Sequence, residues 1–200
     1  NEQDNILPMV DTLSDIFANK LSKYEYEIIF IDNDSTDLTR LQIEKACQAD
    51  KRVKAIFNAR NFGSIRSSVY GLLSATGDCI IKMCADFEDP PELICDFVER
   101  WEKGTKIVIG IKSGSKENLI MRGIRSLYYK IIERITEIKH IRNFVGYGLY
   151  DKAFIEIIRE LKDPIPYFRG LVAELGFKYE EIYYVKPVRR SGQSKFNFYR

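Results

Sequence analysis

Two hundred residues, 45% hydrophobic and 30% charged, are enough for one sizeable α/β domain folded throughout, and they exclude a disordered or low-complexity chain. A formal net charge of +2 is too small to imply a nucleic acid partner. The one histidine, His140, argues against a histidine-based metal site or triad, and Cys47, Cys79, Cys84 and Cys95 lack metal-knuckle spacing, so they read as reduced thiols of a cytosolic protein.

The chain goes straight into a helical pattern, with apolar residues at Ile6, Val10, Leu13, Ile16 and Phe17 and no strand before it. Tyr26 to Ile31, rich in β-branched and aromatic residues, reads as a buried parallel strand. It runs into DNDSTD, Asp32 to Asp37. Three aspartates crowded at a strand end ask for a cation, amide donors or a polar ligand. Ser35, Thr36 and Asp37 equally suit the cap of a helix running to Ala49, and the two readings are compatible. A second strand, Val53 to Phe57, leads to Asn58, Arg60 and Asn61 ahead of Gly63 and a helix starting near Ser64. That start is either a phosphate site or a plain loop with a serine cap.

The turn pair Gly77-Asp78 opens a strand over Cys79 to Met83, which breaks into an acidic loop, Asp86, Glu88 and Asp89, closed by Pro90-Pro91. Carboxylates leaving the carboxyl end of a buried strand lie where open α/β sheets bind ligands, and hard oxygens there suit Mg²⁺ or Mn²⁺ carrying a diphosphate. The alternative is an acidic loop that only caps the next helix. That helix runs from Pro91 to Lys103 and is followed by a strand, Ile107 to Ile111. The alternation predicts a mostly parallel, Rossmann-like sheet flanked by helices.

After Gly114 the pattern changes. Leu119 to Ile138 reads as a basic amphipathic helix, with Arg122, Arg125, Lys130 and Arg134 off the apolar stripe; it suits either an anionic membrane surface or the domain core. NFVGYGLYDKAF sets two glycines among aromatics, which predicts close backbone approach, a bulge or a pocket wall. Helices follow at Asp151 to Leu161 and near Arg169 to Leu175, then a strand from Lys178 to Val185. The tail PVRRSGQSKFNFYR is either a loop for an anionic ligand or a solvated end. No apolar run is long enough to cross a bilayer, so the chain reads as soluble, and both ends read as cut.

Together NEQDN, YEIIFIDNDSTD, ARNFG with GLLSATGD, ADFEDPPEL, GYGLYDK, YFRGLVAELGF and RRSGQSK resemble, in order and over nearly the whole chain, the inverting family 2 glycosyltransferases of GT-A fold. The resemblance is to the polyprenyl-phosphate branch, which includes dolichol-phosphate mannose synthase and bactoprenol glucosyltransferases. It implies one catalytic domain over 1–200, with 1–112 as the nucleotide-sugar half and 113–200 as the acceptor half with a C-terminal loop. The family's first strand is expected to be missing from this chain. Asp32 and Asp34 would border base and ribose, with Arg60 and Asn61 on the nucleotide side. Asp86 would be the surviving aspartate of the DxD signature, holding Mg²⁺ or Mn²⁺. Glu88, where the family usually has glutamine, would lie near the sugar. Arg190, Ser194 and Lys195 would close on the phosphates. The implied partners are a nucleotide-sugar donor, a lipid-phosphate acceptor and the cytoplasmic face of the plasma membrane, with a homo-oligomer left open. Two departures stand out: Cys84 replaces the first DxD aspartate, and Gly146 lies near the position where many relatives carry an aspartate base. They keep open an impaired nucleotide-sugar-binding domain, beside a transferase acting on a growing saccharide.

Overall fold

The computed structural model describes residues 1–113, 141–163, 166–187 and 190. The predicted helix over 119–138 and His140 lie outside the described residues. The first helix, α1 (Ile6–Asn19), buries Ile6, Met9, Leu13 and Ile16, the one stripe that a period of 3.6 residues lines up. Strands β1 (Ile28–Asp32) and β2 (Val53–Phe57) pair in parallel, as the alternation of strands and helices predicts, and α2 (Thr39–Ala49) connects them. Next come α3 (Ser64–Ser74), β3 (Cys79–Lys82), a 3₁₀ turn (Pro91–Leu93) leading into α4 (Ile94–Glu102), and β4 (Ile107–Lys112). The second half adds β5 (Phe144–Asp151), α5 (Lys152–Leu161), α6 (Phe168–Glu174) and β6 (Tyr179–Tyr184).

Among the described residues the sheet is in two pieces, β1-β2 and β3-β5-β4-β6. β4 and β6 are parallel, while β5 runs antiparallel to both its neighbours, β3 and β4. The sequence reading did not foresee β5 as a strand, because Gly146 and Gly148 interrupt its pattern. Its glycines do what was expected of them. A Cβ on Gly148 would stand 2.4 Å from the Val108 carbonyl oxygen, and the β4–β5 register shifts between Ile109 and Ile111. β5 and β6 thus insert the second half of the chain into the sheet of the first.

Both faces of the sheet are covered. Val108 and Leu149 face a core built with α1, α2 and α4, around Ile6, Met9, Ile43 and Phe97. Ile107, Ile109 and Ile111 face the other way, against Val69 and Leu72 of α3, Phe154 and Ile158 of α5, and Phe168 and Val172 of α6. The strand period of two sends alternate residues of β4 into different cores.

Asp151 joins these layers. It is buried, and its carboxylate caps α5 by accepting the Ala153 N–H at 2.9 Å. It also accepts the Trp101 indole N–H at 2.7 Å and the Lys106 ammonium at 2.9 Å. Burial pushes its pKa up, but the Trp101, Ala153 and Lys106 donors outweigh that and hold it below the usual carboxylate value. A depressed folded pKa gives stability that is present above the unfolded value, about 3.9, and is lost as pH falls through the folded one. Asp151→Ala is expected to cost about 2 kcal/mol near pH 7 from the lost cap and charge-assisted bonds. The gap to the parent protein should narrow in urea melts taken below about pH 4; a gap that does not change with pH would refute this role.

Candidate active site

Two groups of polar residues gather at strand ends. The first joins the loops after β1 and β2. Asp32 ends β1, is buried, and turns its carboxylate back to the Ser35 N–H at 3.3 Å. Asn33 Oδ1 accepts from Asn58 Nδ2 and from the Phe62 N–H, each at 3.0 Å, and Asn33 Nδ2 donates to Asn61 Oδ1 at 2.9 Å. Asn61 Oδ1 also accepts the Gly63 N–H at 2.9 Å, and Asn58 Nδ2 donates to Ser67 Oγ at 2.9 Å. This ladder of side-chain amides ties the loop that carries Asp32 and Asp34 to the loop that carries Arg60 and Asn61. Asp34 is exposed, with a φ of 66°, in the left-handed region that Asp tolerates. The exposed Arg60 guanidinium lies 4.2 Å from the centre of the Phe62 ring.

The N-terminal residues pack onto the same loop. The Asn1 amino group donates to Ser35 Oγ at 3.2 Å, the Thr36 N–H to Asn1 Oδ1 at 2.9 Å, and the Leu38 N–H to Gln3 Oε1 at 3.0 Å. None of the three capping candidates is the N-cap residue of α2, which is Leu38 without a side-chain bond, but Asp37, one residue earlier, accepts the Thr39 N–H at 3.0 Å. The serine cap, one of the two readings of the start of α3, is not formed: Gly63, at φ 84°, is its N-cap residue, without a side-chain bond.

The second group is the loop after β3. Asp89 is 2% exposed, and its two oxygens are taken by the Cys84 N–H and the Tyr184 hydroxyl, each at 3.0 Å. It therefore staples the loop shut across its base and ties it to β6. Tyr147 donates to the Pro90 carbonyl at 2.5 Å and meets Tyr184 edge to face at 5.6 Å. Burial first, then the Asp89 charge, pushes both phenols well above their ordinary value, so they remain donors. Within the staple, Asp86 Oδ1 accepts the Glu88 N–H at 3.1 Å, and Phe87 is held at φ 61°. Positive φ is a costly conformation for a bulky side chain and one that clusters at functional loops.

Cations from the segment after β6 lie over this loop. Lys186 pairs with Glu88 at 2.6 Å, and the Arg190 guanidinium stands 5.4 Å from the centre of the Phe87 ring. Ser194 and Lys195 lie outside the described residues. Glu88 is thus engaged by a lysine. Cys84 is exposed overall but crowded at its sulfur; that crowding first, then the Asp89 charge, pushes its thiol up to about 12. A neutral thiol is a poor partner for a hard cation.

Among the described residues no group of three or more His, Cys, Asp or Glu is arranged to hold a metal ion. The residues present do fit a Mg²⁺ or Mn²⁺ that arrives with a diphosphate, since such ions need only one or two protein carboxylates beside the phosphate oxygens. Asp86 would be the carboxylate to hold it.

Sequence reasoning found both acidic loops and named Asn58 and Asp89 in them without the inward bonds they make, and it missed Asn33, Tyr147, Tyr184, Lys82 and Lys186. Lys82 alone left a local signal, as a charge inside the apolar run of β3. The others act through partners distant in sequence.

Comparison with known proteins places these features in a family. Residues 1–158 match the family model for glycosyl transferase family 2. An uncharacterized glycosyltransferase of Synechocystis is 30% identical over 100% of this chain and 63% of its own length. A prophage bactoprenol glucosyl transferase homolog of Escherichia coli is 30% identical over 98% of this chain, and this chain spans 64% of it. A mannosyltransferase of Pyrobaculum calidifontis, solved with GDP-Man and Mn²⁺, superposes with a TM-score of 0.58 at 16% identity, over 96% of this chain and 55% of that one. That likeness supports the α/β, GT-A architecture. The chain spans less than two thirds of the length of these relatives.

Proposed function

Because the chain belongs to glycosyl transferase family 2, we propose that it moves a sugar from a nucleotide sugar, of the UDP class, to a polyprenyl phosphate by direct displacement with inversion. The observation that carries this reading is the stapled acidic loop after β3 lying under cations, Lys186 and Arg190, from the segment after β6. A departing nucleoside diphosphate needs that combination of a carboxylate-held metal on one side and cations on the other. In this reading the amide-locked loops hold the nucleoside, with Asp32 and Asp34 toward base and ribose and Arg60 and Asn61 on the nucleotide side. Asp86 would hold Mg²⁺ or Mn²⁺, which supplies charge neutralisation on the diphosphate. Glu88 faces the sugar, and Arg190 closes with Ser194 and Lys195. Residues 1–112 then form the donor half and 113–200 the acceptor half.

A polyprenyl phosphate is already an anion near neutral pH, so it needs positioning more than a strong base. Gly146, which offers no carboxylate, suits that acceptor. In this reading the reaction takes place at the cytoplasmic face of the plasma membrane, where the basic residues among 119–138 would meet anionic lipid. No described helix is long and apolar enough to cross a membrane.

The test is incubation with a labelled UDP-sugar, Mn²⁺ and a polyprenyl phosphate in detergent. Label is expected in the organic phase as lipid-phosphate sugar. Label entering only a water-soluble saccharide would favour the saccharide acceptor. Cys84 favours one further reading, an impaired binding domain, for which UDP would bind with no turnover.

A further inference from the structure

Lys82 is the last residue of β3 and pairs with Gly148 of β5. Its side chain runs along β5 to Gly146, where a Cβ would stand 3.0 Å from Lys82 Nζ, 3.7 Å from Cε and 3.9 Å from Cδ. Gly146 and Gly148, two apart on a strand, lie on one face of β5. The lysine therefore lies along a strip of strand from which side chains are missing, and any larger residue at 146 would crowd its ammonium.

The lysine is half-buried as a residue, and among the described residues its ammonium has no hydrogen-bond or ion-pair partner. By contrast Lys23, Lys54, Lys103, Lys106 and Lys186 each meet a carboxylate. The carboxylates of the neighbouring loop already have other partners. Asp89 is taken by the Cys84 N–H and Tyr184, Glu88 by Lys186, and Asp86 accepts the Glu88 N–H. Cys84, two residues beyond the end of the strand, brings no carboxylate. A cation partly withdrawn from water without an anion is costly, and the cost is relieved when a ligand brings the negative charge.

We propose that Lys82 is an anion-binding residue that takes a substrate phosphate oxygen at the head of the acidic loop. It rests on the transferase reading for the identity of that phosphate, which is either the donor's diphosphate or the acceptor's lipid phosphate.

Calorimetry with inorganic pyrophosphate and with a short, soluble prenyl phosphate, each with and without Mn²⁺, tests this on the parent chain and on Lys82→Gln, Lys82→Met and Lys82→Arg. A hydrogen bond to a charged group is strong enough that its loss should weaken binding about tenfold or more. The Gln and Met variants are expected to show that loss at an unchanged melting temperature, with Arg retaining most of the affinity. Two neutral variants of different shape separate the missing charge from any packing defect. Loss confined to pyrophosphate assigns Lys82 to the donor; loss confined to the prenyl phosphate assigns it to the acceptor. Equal affinities in the parent and both neutral variants overturn the proposal, as does a parent chain that binds neither probe. If binding depends on Lys82 but no sugar is ever transferred, the transferase reading falls and the anion site stands.

Discussion

Among the described glycines, Gly148→Ala is expected to be the most destabilising alanine substitution, costing about 3 kcal/mol or more. The added Cβ would stand 2.4 Å from the Val108 carbonyl oxygen, 3.0 Å from Ile109 Cα and 3.3 Å from the Val108 carbonyl carbon. These are backbone atoms and cannot rotate away. Neither can β4 retreat, since it is hydrogen-bonded to β5 on one edge and β6 on the other. Val108, Ile109 and Leu149 are fully buried, so a shift would reach both cores. For a domain of this size each kcal/mol lowers the melting temperature by about 2–4 °C, so a drop of about 10 °C, or loss of soluble protein, is expected. Gly104→Ala is the control: Gly104 has a φ of 101° but nothing within 4 Å of its missing Cβ. Only backbone strain of about 1 kcal/mol should appear there. Equal melting temperatures for the two variants would mean that β4 and β5 do not approach so closely.

The same glycines mark the limit of what the sequence discloses. β1 and β4 are legible because each is a run of apolar, mostly β-branched residues, as a strand covered on both faces requires; β2, VKAIF, keeps that character apart from the exposed Lys54. β5 is covered just as fully, yet Gly146 and Gly148 replace the residues that would have made its pattern visible. Its antiparallel place between β3 and β4 is a matter of long-range pairing that no local pattern encodes. The site divides in the same way. Asp32 and Asp86 are legible as carboxylates where a strand gives way to a loop. Asp89 reads as one more acid in that loop, and only its bond to Tyr184 of β6 shows that it faces inward. Glu88 reads as a free carboxylate until Lys186 is seen against it.

Asp86→Ala is expected to remove the metal-dependent part of nucleotide binding and to lower turnover about 10²- to 10³-fold, the scale set by losing one preorganised stabiliser of developing charge. The reason is how few hard donors the loop offers. Asp89 is spent on the staple, Glu88 is paired with Lys186, and position 84 carries a thiol where an oxygen would be needed. Calorimetric titration of UDP, with Mn²⁺ and then with chelator, separates the contributions. In the parent chain Mn²⁺ should tighten binding; in Asp86→Ala that gain should vanish, while metal-free affinity, carried by the amide-locked Asp32–Asn61 loops, stays within about twofold, since sites without shared partners act independently. The converse substitution, Cys84→Asp, supplies a second hard oxygen and is expected to enlarge the Mn²⁺-dependent gain. If Asp86→Ala keeps the whole of that gain, the ion is held elsewhere, and the loop after β3 is not where the diphosphate sits.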